Sequence, residues 1–234
     1  MFSKLFSPEV LKETWLILKE QIVLSTWETI YVTVLSTFFA CVIGLPLGIL
    51  LVVGEKDNIL PVPRWVLQAL NVAINILRSV PFLILMILVF PLTRLIVGTV
   101  VGTVATIVPL VISAFPFIAR LVESSIREVN PETVEMAQSL GATPLQIITR
   151  VLLPESVPSL VSNLTIAVTT VLGYTAMSGI IGGGGLGKIA INYGYYRYKT
   201  LVMIVAVILL IVLVQVLQSI GTRLAVTTNK KLRR

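Results

Sequence analysis

Between Lys199 and Arg223 the chain reads TLVMIVAVILLIVLVQVLQSIGT, without one charged residue. A helix of roughly 20 mostly apolar residues crosses the hydrocarbon core of a bilayer. Inside lipid, a backbone satisfies its own hydrogen bonds only as a helix or a closed barrel. That run therefore excludes most folds and points to a transmembrane helix. Stretches of the same kind occupy residues 27–53, 65–90, 100–122 and 159–181, the last span being 201–223. Pro109 and Pro116 fall inside the third, where neighbouring helices can satisfy the carbonyls they free. Only 12% of the residues are charged, against about a quarter in a soluble domain. The expected fold class is all-α, a polytopic membrane protein with about five transmembrane helices in one domain, 27–226. Residues 1–26 mix Leu5, Val10, Trp15 and Ile22 with Lys12, Lys19 and Glu20, a pattern expected to lie along the interface.

The net charge of +7 does not point to nucleic acid. Its densest cluster, Lys230, Lys231, Arg233 and Arg234, follows the last span in a tail at 227–234. Basic residues just beyond a span mark the cytoplasmic side; an odd number of spans then places the N-terminus outside. There is no histidine, the commonest metal ligand, and the single Cys41 can form no intrachain disulfide. No metal or cofactor is expected. The opening MFSKLFSPEVLKETW lacks a long apolar core with a small-residue cleavage site, so insertion is expected to depend on the first span.

The connection 123–158 is long and polar, and by this orientation it faces the cytoplasm. Asn130 is a good N-cap with Pro131 at the first helical position. Gly141 is placed for a left-handed C-terminal stop, and Thr143, Pro144 and Gln146 open a second helix with a capping box. Leu145, Ile148, Val151 and Leu152 are expected on one face of that helix, with Pro154 ending it. Two short helices thus meet at a glycine corner.

Glu135, Ala137, Gly141, Val151, Leu153 and Pro154 resemble the EAA loop of ABC importer permeases, read as E-A-A, three residues, G, nine residues, I-x-L-P. Met136 replaces the second residue of that pattern and Val151 its isoleucine. WETIYVTVLSTFFACVIGLPLGILL, LRSVPFLILMI, AFPFIARLVE and GGGGLGKIAINYGYYRY are similar, in order and spacing, to the permease subunit of methionine ABC importers. The resemblance implies a type I importer permease in a bacterial inner membrane, working as a homodimer of five-span subunits. It also implies two cytosolic ATPase subunits, an extracytoplasmic substrate-binding lipoprotein, and no ATP hydrolysis in this chain. The corner within 130–154 would dock on the ATPase, with Glu135, Ala137, Gly141, Ala142, Thr143 and Pro144 as the coupling element. Methionine, D-methionine or another small amino acid would be the substrate.

Gly182, four residues, Gly187 and Lys188 match a phosphate-binding G-x-x-x-x-G-K. That motif needs a hydroxyl next, to hold magnesium, and a strand before it; here Ile189 follows and a span precedes. No acidic residue occurs after Lys188. Gly182, Gly183, Gly184, Gly185 and Gly187 read instead as a tight loop. Tyr193, Tyr195, Tyr196 and Tyr198 then form either an interfacial belt or part of an outer gate or docking surface. In span two, Gln68, Asn71, Asn75, Arg78 and Ser79 recur at helical spacing. An intramembrane arginine costs about 2.5–3.5 kcal/mol on insertion scales, so this stripe should face protein or water. It lines a pathway, holds a dimer interface, or lets Arg78 cap the backbone broken at Pro81. An ion-coupled transporter normally has acidic or histidine groups within its spans, whereas Glu28, Glu55, Asp57 and Glu123 sit at or beyond span ends. No nucleophile–base pair supports an intramembrane enzyme.

Overall fold

The computed structural model describes residues 7–56 and 58–228, so most of the expected basic tail lies outside the described residues. Among the described residues every regular element is a helix. In chain order these are α1 (Pro8–Val53), α2 (Arg64–Ser79), α3 (Phe82–Leu88), α4 (Phe90–Val97), α5 (Ile107–Arg127), α6 (Pro131–Ser139), α7 (Pro144–Ile147), α8 (Leu153–Ser178), α9 (Gly185–Ile189) and α10 (Thr200–Thr228). A 3₁₀ turn occupies Gly179–Ile181, and π-helical turns occupy Ile148–Leu152 and Ala190–Tyr195. The runs long and apolar enough to cross a membrane are α1, α5, Pro144–Ile181 and α10, with α2 and α3 a further one if taken together as a bent pair. The expected set of spans is present, with its limits moved.

Each shift has a local cause. α1 runs unbroken from Pro8, 46 residues and about 69 Å at 1.5 Å per residue. Residues 8–26 of the expected amphipathic segment are thus continuous with the helix of the first span, and residues 1–6, Leu5 among them, lie outside the described residues. Ile17 and Leu18 pack against Ile189, Val202 and Ala206, Gln21 Nε2 donates to Tyr193 Oη at 2.7 Å, and Lys199 Nζ pairs with Glu13 at 2.6 Å. The expected span 65–90 is broken into two helices, α2 and α3, because Pro81 has no N–H and its predecessor avoids the helical region. Val80 is accordingly extended, at φ −80° and ψ 125°. The third span begins at Ile107 rather than Val100. Gly98 and Gly102 hold positive φ there, and the Gly102 N–H donates to the Gly182 carbonyl at 3.0 Å.

The chain forms two compact units: Met1–Ser36, Phe82–Val111 and Val168–Leu217 make one, and Thr37–Pro81, Ile112–Ala167 and Gln218–Arg234 the other. The first has Ile189, Val202 and Ala206 at its core, and the Phe82 ring stacks on Tyr174 at 4.6 Å. The second packs Leu51, Ile74 and Ala119 with Leu47 and Leu70. Within that second unit α1 approaches α5 closely through Gly44 and Gly48. A Cβ on Gly48 would lie 2.5 Å from the Ala119 carbonyl oxygen and 2.6 Å from Val122 Cβ. This is the small-xxx-small contact by which helices associate in lipid.

Candidate functional site

The helical corner forms as its caps dictate. Asn130 Oδ1 accepts from the Glu132 N–H at 3.0 Å, and Pro131 opens α6. At the far end Gly141 adopts φ +77°. The Gly141 N–H donates to the Gln138 carbonyl at 2.9 Å and the Ala142 N–H to that of Ala137 at 3.1 Å. This pair of bonds is the Schellman stop. The capping box of α7 is complete: Thr143 N–H donates to Gln146 Oε1 at 2.8 Å, and Gln146 N–H to Thr143 Oγ1 at 3.4 Å. α6 buries no side chain, and Met136, Leu140 and Leu145 are 60%, 82% and 69% exposed. An apolar knuckle left bare in this way is characteristic of a docking surface.

Beyond the corner the structure differs from expectation. Pro154 does not end a helix; it sits in the first turn of α8. Lacking an N–H, it costs nothing at that position. The chain enters α8 through the π turn, where the Leu153 N–H reaches back to the Ile148 carbonyl. The wider turn rotates the face: Ile147 and Leu152 are buried while Leu145 points out. At the base of the corner Arg127 pairs with Glu55 at 2.6 Å and Glu123 at 3.0 Å.

The glycine run has its own occupant. Glu28 Oε2 accepts from the Gly185 N–H at 2.7 Å and Oε1 from Thr103 Oγ1 at 2.9 Å. Thr29 Oγ1 accepts from the Leu186 N–H at 2.9 Å. The free N–H groups opening α9, which a phosphate-binding loop offers to its ligand, are thus taken by α1 side chains. Gly184 is needed for closeness, since a Cβ there would collide with Thr103 Oγ1 and Glu28 Oε2. Losing a charged acceptor at a buried donor costs about 1–3 kcal/mol. Glu28→Ala should therefore lower the thermal midpoint of the purified protein by roughly 2–10 °C at this chain length, and Glu28→Gln, which keeps an acceptor oxygen, by less. Unfolding followed by tryptophan fluorescence checks both; an unshifted Glu28→Ala midpoint would remove this clamp from the account.

The polar face of α2 is organised from α5. Arg120 donates through one terminal nitrogen to Asn71 Oδ1 at 2.7 Å and Asn75 Oδ1 at 2.9 Å. Its other terminal nitrogen pairs with Glu123 at 2.6 Å. Ser79 Oγ donates to the Asn75 carbonyl at 2.8 Å, and among the described residues Arg78 makes no hydrogen bond to the backbone broken at Pro81. Arg78 is exposed.

A family profile described as "Binding-protein-dependent transport system inner membrane component" matches residues 44–225. The chain belongs to this family. Together with its apolar helices, this makes it a multi-pass inner-membrane protein. It is 49% identical over 214 residues to the probable D-methionine transport system permease protein MetI of Vibrio cholerae, covering 90% of this chain and 93% of that one. It is 48% identical to the corresponding Pasteurella multocida protein, over 88% and 94% of the two chains. A solved structure titled as an inward-facing conformation of the MetNI methionine ABC transporter superposes with a TM-score of 0.88. That chain is 42% identical, with 91% of this chain and 98% of that chain covered. The likeness to an amino acid ABC transporter at 18% identity and TM-score 0.68 shows the fold alone.

In this inner-membrane component, Glu135, Ala137, Gly141, Ala142, Thr143 and Pro144 all lie in the one corner. Ala137 and Ala142 are half-buried and bonded to each other through the backbone. Asn71 and Asn75 come together on Arg120, while Arg78 does not join them. Glu28, Arg120 and the Gly44–Gly48 pair were not singled out from sequence as site or packing residues. The Gly44–Gly48 spacing carried a signal of its own; the partners of Glu28 and Arg120 lie far along the chain.

Proposed function

We propose that this chain is the membrane-spanning subunit of an ATP-driven importer that carries methionine, its D-isomer included, into the cytoplasm by alternating access. Two copies pair, each receives a cytosolic ATPase subunit, and a substrate-binding lipoprotein delivers the amino acid from outside. ATP is hydrolysed by the ATPase subunits, not here. The exposed α6–α7 corner is the observation that carries this reading: two capped helices hold Met136, Leu140 and Leu145 bare, and an apolar knuckle of this kind needs a partner. The α2 polar face lines the substrate path, and the glycine loop held by Glu28 serves as outer gate or docking surface.

Reconstitution tests it. The chain is assembled with its ATPase and binding-protein partners, and ATP hydrolysis is followed with D-methionine, L-methionine and other small amino acids. Methionine is expected to stimulate hydrolysis and uptake together. Stimulation by a different amino acid moves the substrate and keeps the mechanism; gradient-driven uptake by the chain alone overturns both.

A further inference from the structure

The second compact unit holds a cation with no counter-charge. Arg78 lies fourteen residues after Arg64 on α2, about 21 Å along the helix axis, within a bent helix pair apolar enough to form a span. Among the described residues it has no ion pair and no hydrogen bond, although an arginine within a span is costly unless it meets water or an anion. The groups beside it are chosen in one sense. Arg120 has only donors to offer, so both asparagines must turn their oxygens to it, as they do. The Asn71 NH₂ is also used, donating to the Leu67 carbonyl at 2.9 Å. The Asn75 NH₂ is left without a partner one turn from Arg78. Glu123 on α5 is already held by Arg120 and Arg127. The face therefore presents unspent N–H donors and a positive charge, and no free carboxylate.

We infer that Arg78 and the Asn75 amide form a carboxylate site on the α2 face, with Arg120 as the positioning residue that keeps the asparagine oxygens turned away. This rests on the reading of the chain as an amino-acid permease. It adds that the membrane subunit itself engages the carboxylate of the amino acid in transit, by a charge-assisted pair of the kind arginine makes best.

The test uses the assembled permease–ATPase complex in nanodiscs, in a Cys41→Ala background, with Ser79→Cys as reporter. Labelling rates are compared for a sulfonate-bearing and a trimethylammonium-bearing methanethiosulfonate. The anionic reagent is expected to react at least about tenfold faster, as charged clefts accelerate matched ions. Arg78→Gln should abolish that preference, and Asn75→Asp should weaken it. L-Methionine should slow labelling, whereas methioninamide, which lacks the carboxylate, should not. Arg120→Gln should keep the sulfonate preference and lose the protection by methionine, a split that a merely structural role does not produce. If Ser79→Cys fails to assemble, Gln68→Cys on the same face replaces it. Equal rates for the two reagents, or no labelling at either position, overturn the site. ATP-driven methionine uptake by the unmodified complex is measured in parallel: if it persists, only the site has failed, and if it is absent, the permease reading has failed.

Discussion

Replacing Gly141 with valine is expected to leave the permease folded in the membrane but cut ATP-driven uptake by roughly tenfold or more, on the rule that 1.4 kcal/mol is a factor of ten. Gly141 holds φ +77°, and a Cβ built there meets nothing within 4 Å. The penalty is therefore conformational rather than steric. A β-branched residue in the left-handed region costs on the order of 1–3 kcal/mol. It can be relieved by abandoning the two bonds that close α6, Gly141 N–H to Gln138 and Ala142 N–H to Ala137. The corner would then open, and Leu140 and Leu145 would no longer be offered at a fixed angle to an ATPase subunit. Asparagine tolerates the left-handed region, so Gly141→Asn should retain most uptake. The measurements are co-purification of the ATPase subunit and uptake per ATP hydrolysed. If valine and asparagine are equally harmful, side-chain volume at the docking surface is responsible and not the backbone angle. If valine is harmless, the corner does not transmit force.

That corner was legible because its determinants are local. Asn130, Gly141, Thr143 and Gln146 act on backbone groups two or three residues away, and each bond they imply is present. The apolar runs were legible for the same reason, as hydropathy needs no partner. What could not be read depends on contacts far along the chain. Nothing near Glu28 in sequence reveals that it closes on Gly185, and nothing near Arg120 that it collects Asn71 and Asn75. The α1 helix shows the limit most clearly. Lys12, Lys19 and Glu20 suggested an interfacial segment, but packing on Ile189 and Val202 carries the helix unbroken from Pro8. Pro154 shows the reverse error, a breaker overruled by its own geometry: a proline ends a helix only where an N–H is needed, and the π turn before it removes that need.

Gly48→Leu should be the most damaging single substitution in the second unit. Lipid gives no hydrophobic drive for two apolar helices to associate, so close van der Waals packing supplies the attraction. At Gly48 the facing atoms include the Ala119 carbonyl oxygen at 2.5 Å from an added Cβ. A main-chain atom cannot rotate aside, so α1 and α5 must separate. Separation would loosen Leu51 and Ala119 from their shared core with Ile74. Overpacking usually costs about 1–3 kcal/mol, and here the lost core contacts add to it. The expected result is little or no monodisperse protein after detergent extraction, with any remainder melting at least ~5 °C lower. Gly44→Ala should be milder, because its tightest contacts at 2.9 Å include the Ile118 Cγ2 methyl, which can turn, as well as the Phe115 carbonyl oxygen. Gly173→Ala in α8 is the control: a Cβ there meets nothing, and removing a helical glycine stabilises by roughly 0.5–1 kcal/mol. A Gly48→Leu protein with an unchanged melting profile would mean that α1 and α5 are not held by this contact, and the second unit would need another explanation for its cohesion.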